Sequence, residues 1–166
     1  MSSQPARPPT TLLSLTPGQA RIAEKVADGR STDQIASDLG IAIGTVSAHL
    51  GHCGRKLGVS GRAPLVHACY VTEQIPRPDL ATPPGTFSDV ETWTWRMVAT
   101  GASAQDMAEQ ATITHDDALR RIRSLRECVE ARNAPHLVTL GWAYAVLDAS
   151  LTDMTSGVIL PVPARR

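Results

Sequence analysis

The sequence predicts an all-α protein built as two four-helix units joined by a proline-rich linker, and three observations predict it. Sliding the chain against itself by 72 positions aligns residues 15–70 with residues 87–142 without a gap. Val26, Ala27, Gly29, Ser31, Ala36, Ile41, Leu65 and Val66 recur as Val98, Ala99, Gly101, Ser103, Ala108, Ile113, Leu137 and Val138, at positions suited to helix starts, turn glycines and core sites. The second observation is that helix-start signals recur in the same register. Thr16 with Gln19, Ser31 with Gln34, Ser88 with Glu91 and Ser103 with Asp106 all have the form of a capping box. In that device a hydroxyl accepts an orphan backbone N–H and the third residue on accepts the hydroxyl residue's own N–H. Third, Val46, Leu50, Cys53 and Leu57 are spaced by four, three and four, as are Ala118, Ile122, Leu125 and Val129. That spacing marks one buried face of a helix in each unit.

Taken in order, residues 1–13 carry Arg7 and three prolines and read as a disordered arm. The first unit spans 14–75. It begins with a short helix after Thr16, closed by Gly29, whose lack of a Cβ suits a left-handed helix end. A second short helix follows Ser31, then a turn through Ile41, a longer third helix, and a fourth helix starting near Pro64, since proline is tolerated in a first helical turn. Residues 76–86 form the linker, with four prolines in PRPDLATPPG favouring an extended, semi-rigid chain. The second unit, 87–151, repeats the order: helices after Ser88 and Ser103, a turn through Ile113, a third helix, and a fourth starting near Pro135. Residues 152–166 read as a tail.

Composition narrows the function. With 42% apolar residues the chain has enough to bury a core, and 16 Lys plus Arg balance 16 Asp plus Glu, so there is no global positive field. Nucleic-acid binding therefore has to come from local patches. Residues 15–70 hold six basic against four acidic residues, and residues 87–142 six against eight. Cys53, Cys69 and Cys128 are odd in number and form no CxxC pair, which argues against a disulfide framework and fits a reducing cytoplasm. No run approaches a membrane span. No nucleophile is paired with a base, no glycine loop cradles a phosphate, and no carboxylate pair stands out, so catalysis and a cofactor are not expected. His49, His52 and Cys53 have metal-compatible spacing, but Cys53 lies on the core stripe and no fourth ligand is evident, so no metal site is expected.

The first unit resembles the LuxR-type (GerE-like) helix-turn-helix family. The residues that carry the resemblance are LTP at 15–17, GRSTDQIASDLGI at 29–41, TVSAH at 45–49, and RKLGV followed by SGRA at 55–63. The second unit matches only the helix pattern, through Gly101, Ser103, Met107, Ala108 and Ile113, and is similar to a degenerate member. The resemblance implies a bacterial transcription regulator in the cytoplasm, associated with the nucleoid. Its third helix would enter the major groove of double-stranded DNA, and its fourth would often form a dimer contact. Thr45, His49, Arg55, Lys56 and Arg62 stand where the family pattern expects them. The chain departs from the pattern at Gly18 and Gln19, where the family usually has Arg-Glu, at Ser47 in place of a usual Lys, and at Gly51.

On the exposed face of the first unit's third helix lie Ser47, Ala48, Gly51, His52 and Arg55, matched in the second unit by Leu119, Arg120, Arg123, Ser124 and Glu127. In the first, Thr45 suits a phosphate, Ala48 a thymine methyl, and His52, Arg55 and Lys56 the DNA backbone. In the second, Arg120 and Arg123 replace Ala48 and Gly51, an arginine fork being the commonest direct reader of guanine, with Arg121 and Arg126 beside them for phosphate. Asp116 and Asp117 favour the helix start but repel phosphate. The segment LVTLGWAYAVL, 137–147, is apolar nearly all round, so Leu137, Leu140, Trp142, Tyr144 and Val146 call for burial against the first unit's fourth helix or a second chain. Partners thus include DNA, a homodimer or an intramolecular pseudo-dimer, and a regulator or sigma factor. The competing function is a protein-interaction module that binds through the apolar fourth helix.

Overall fold

The computed structural model describes residues 14–151; the arm expected at 1–13 and the tail expected at 152–166 lie outside the described residues. Eight helices and no strand are present among them: α1 Pro17–Ala27, α2 Thr32–Leu39, α3 Ile43–Leu57, α4 Arg62–Val71, α5 Asp89–Ala99, α6 Ala104–Ala111, α7 His115–Cys128 and α8 Ala134–Ala143. All four expected capping boxes form, with both hydrogen bonds in each, at the starts of α1, α2, α5 and α6. The helices of the second half begin 72 residues after those of the first: 17 and 89, 32 and 104, 43 and 115, 62 and 134.

The turns repeat as well. Left-handed residues stand at Gly29 and Gly101, Gly40 and Thr112, Gly58 and Glu130, and Glu73 and Ala145. Each pair is again 72 apart. A glycine occupies this conformation without the Cβ penalty, whereas Thr112 at φ 54° is a β-branched residue held there by the helices on either side.

Packing explains why the two halves hold together. In the first, Ile22, Val26, Ile35, Val46 and Cys53 meet inside α1–α3; in the second, Trp93, Met97, Met107 and Ala118 do the same inside α5–α7. A continuous apolar seam then joins α4 to α8, through Leu65, Val66, Cys69 and Tyr70 on one side and Leu137, Val138 and Trp142 on the other. Contacts across the seam are reciprocal, as across a twofold axis: α8 also packs on α1, and α4 on α5. The space above Gly29 is closed by Arg132 and His136, and that above Gly101 by Ser60 and Pro64, the residues 72 positions earlier. Two hydrogen bonds obey the same relation. Tyr70 Oη lies 3.0 Å from Thr139 Oγ1, and Trp142 Nε1 donates to His67 Nδ1 at 3.0 Å. Thr139 spends its own proton on Ala27 O, 2.7 Å away, so Tyr70 is the donor to it.

Of the two coverings open to the fourth helix of the second unit, the structure has the first. Leu137 and Trp142 are buried against α4, Tyr144 packs with Phe87 and Trp95, and Leu140 and Val146 are half-buried against the same core. Most of the apolar surface of α8 is thus covered within the chain. The linker is also held: Arg77 stacks 5.0 Å from the Trp142 ring and donates to Tyr70 O, and Ala81 N donates to Ala143 O.

Candidate nucleic-acid interface

Helices α2 and α3 pack together as a helix-turn-helix, supported by α1. The buried side of α3 is set by Val46 and Cys53, with Leu50 and Leu57 half-buried beside them. By the helical period this leaves Thr45, Ser47, Ala48, Gly51, His52 and Arg55 exposed together, and the structure has all six so. Two of the expected cations sit elsewhere. Lys56 is half-buried and donates to Gln19 Oε1 at 2.7 Å and to Ser14 O at 3.1 Å, so it ties α3 to the start of α1. Arg62, at the start of α4, donates to Thr32 Oγ1 in the first turn of α2. His49 is half-buried. His52 Nδ1 and Arg55 Nη2 lie 2.8 Å apart, a pairing that points the guanidinium along the helix surface.

Helix α3 begins at Ala42 with no side-chain cap and contains Gly44, Gly51 and Gly54, each unfavourable in a helix interior. Gly54 has a reason: a Cβ there would lie 2.8 Å from Val59 O, so the backbone after the helix comes close only because none is present. A Cβ on Gly44 would meet nothing within 4 Å, and one on Gly51 only the tip of Arg55. Gly51 and Gly54 leave an open groove bordered by Leu50, Arg55 and Leu65.

Helix α7 is built differently. Thr114 caps it by accepting from Asp117 N, and Asp116 and Asp117 complement its N-terminal dipole. Arg120 and Arg123 are exposed on the face equivalent to Ala48 and Gly51, and Arg121 is half-buried beside Val90 and Thr94. Arg120 pairs with Asp117 at 2.7 Å, an exposed (i, i+3) contact that is weak and easily exchanged for another anion. Arg126 instead donates to Arg132 O and braces the loop into α8.

Reasoning from sequence did not single out Ile43. It is 53% exposed in the first turn of α3, beside Thr45, and an apolar residue at the tip of a third helix is where a thymine methyl would be met. Its signal was visible in hindsight: it falls outside the Val46 stripe. Among the described residues no group of three His, Cys, Asp or Glu is placed to hold a metal ion, and burial pushes the Cys53 thiol up, away from the thiolate a metal needs.

Comparison with known proteins bears on the first half of the chain. Residues 13–69 match the family model described as bacterial regulatory proteins, luxR family (GerE). No curated protein and no solved structure matches the chain. The match begins just before α1 and ends within α4, so it covers the helix-turn-helix and its support and leaves α5–α8 outside. No described helix is long and apolar enough to cross a membrane. With α2 packed on α3 and an exposed α3 face inside the matched region, residues 13–69 are similar to the luxR-family domain in sequence and have a helix-turn-helix in structure.

Proposed function

We propose that the chain is a DNA-binding transcription regulator in which α5–α8 is a second, diverged copy of the luxR-type unit, and that both third helices enter the major groove. The observation that carries this reading is the position of Arg120 and Arg123. They stand exposed on α7 at the register positions where α3 has Ala48 and Gly51, and α7 packs on α5 and α6 as α3 packs on α1 and α2. Thr45 and Arg55 hold the DNA backbone, Ala48 and Ile43 meet thymine methyls, and the α7 arginines read guanine. Lys56 and Arg62 act indirectly, by fixing α1 and α2 against α3.

Selection from a randomised duplex pool at moderate salt, using the full chain, tests this. An enriched motif is expected, with an affinity that falls as salt rises because phosphate contacts release counterions. A pool that stays random, or binding indifferent to salt, would overturn it.

A further inference from the structure

The seam and the two third-helix faces together point to the kind of duplex the chain takes. A dimer of identical domains presents the same face twice, so the DNA that suits it is palindromic, half-site matching half-site. Here the twofold partner is inside the chain, and it differs in sequence. The surface that would pair with a second copy is used: Leu65, Val66, Tyr70, Leu137, Val138 and Trp142 are all buried in the α4–α8 seam. The seam is also closed by unlike pairs, Tyr70 with Thr139 on one side of the axis and Trp142 with His67 on the other. The outer faces differ more. One presents Ser47, Ala48 and Gly51, with no charge to direct at a base edge; the other presents Leu119, Arg120 and Arg123 at the same three positions.

We infer that one chain binds one duplex lacking twofold symmetry, whose two half-sites differ in chemistry. The half facing α7 is read at guanine edges by Arg120 and Arg123. The half facing α3 is chosen by methyl contacts and by fit to a smooth helix surface, and discriminates little. This rests on the reading that both third helices enter DNA, and goes beyond it by fixing stoichiometry, asymmetry and the division of labour.

The experiment uses the full chain and three duplexes: the selected sequence, and two palindromes made by inverting and repeating each of its halves. Sedimentation of the complexes counts chains, and titration ranks affinities. One 17.7 kDa chain per selected duplex is expected. The palindrome made from the α3 half should bind about tenfold or more weakly, since it forfeits the bidentate guanine contacts. The palindrome made from the α7 half should lose less. The double variant R120A/R123A, altered only at exposed side chains, should bind the selected duplex and the α3-half palindrome equally. Two chains on the selected duplex, or either palindrome bound more tightly than it, would overturn the inference while leaving DNA binding intact. If no duplex forms a complex, DNA binding itself fails and the inference falls with it.

Discussion

The two halves of the molecule repeat the same helix starts and left-handed turns with different side-chain bulk. In the first, Ala23 and Cys69 are small and buried; their counterparts 72 residues on are Trp95 and Gly141, and the indole fills the room the glycine vacates. Trp95 Nε1 donates to Leu137 O at 2.6 Å, and its ring meets Phe87 edge-on at 4.9 Å. On the surface the contrast has the same sense: α3 is capless and glycine-rich with small side chains outward, whereas α7 is capped and carries arginines. Helix starts, capping boxes and left-handed turns therefore hold this architecture through large changes in side chain. Gly141 makes room for the larger Trp95 side chain, and the outer face is free to diverge.

The strongest way to break that comparison is at the exchanged pair. Trp95→Ala should destabilise the chain by about 4 kcal/mol, through lost apolar burial and the cavity left behind, seen as a lower denaturation midpoint in urea. An unchanged midpoint would mean the core along the seam does not depend on the indole.

The seam has a pH dependence that the second half lacks a counterpart for, since Thr139 stands where His67 would recur. Burial lowers the His67 pKa from 6.5 to about 4, with the Asp148 charge opposing. Nδ1 already accepts the Trp142 N–H, so a proton placed there would face another donor. Between pH 6.5 and about 4 the unfolded chain therefore binds the proton and the folded chain does not. Stability should fall as pH is lowered through that window, by on the order of 3 kcal/mol in total, and flatten below it. Denaturation at stepped pH checks this, and His67→Gln should remove most of the slope.

Trp142→Phe leaves the buried His67 Nδ1 without its donor and should cost about 2 kcal/mol. Tyr70→Phe should cost less, because the Thr139 hydroxyl keeps Ala27 O. Equal costs in thermal melts would say the two sides of the seam are not distinguished by their hydrogen bonds.

Smaller effects come from exchanging turn and helix residues between the halves. Thr112→Gly, which copies Gly40, should stabilise by up to about 1 kcal/mol by relieving a left-handed β-branched residue. Gly51→Ala and Gly54→Ala should shift the melting temperature in opposite directions: the first meets open space and gains helix propensity, the second drives a Cβ against Val59 O.

Much of this was legible in the sequence because it depends on neighbours close along the chain. Thr16 and Gln19, or Ser103 and Asp106, settle their hydrogen bonds within one turn, and the stripe from Val46 to Leu57 fixes which side of α3 faces out. The luxR-type residues between 29 and 63 identified the helix-turn-helix for the same reason. What was not legible depends on distance. Nothing near Lys56 in the sequence says that Gln19 will take its ammonium, 37 residues away, or that Arg62 will turn to Thr32. The choice between α4 and a second chain as the cover for Trp142 was likewise open, since an apolar helix signals the need for burial and not its source. Thr112 and Glu130 hide left-handed turns that glycine announces in the first half.

Amide hydrogen exchange on the full chain, with and without the selected duplex, tests whether α3 and α7 both read DNA from one seamed body. Slowed exchange in both 43–57 and 115–128, with the α4–α8 seam already protected in the free protein, is the expected result. Protection confined to 43–57, or absent from both helices, would contradict it.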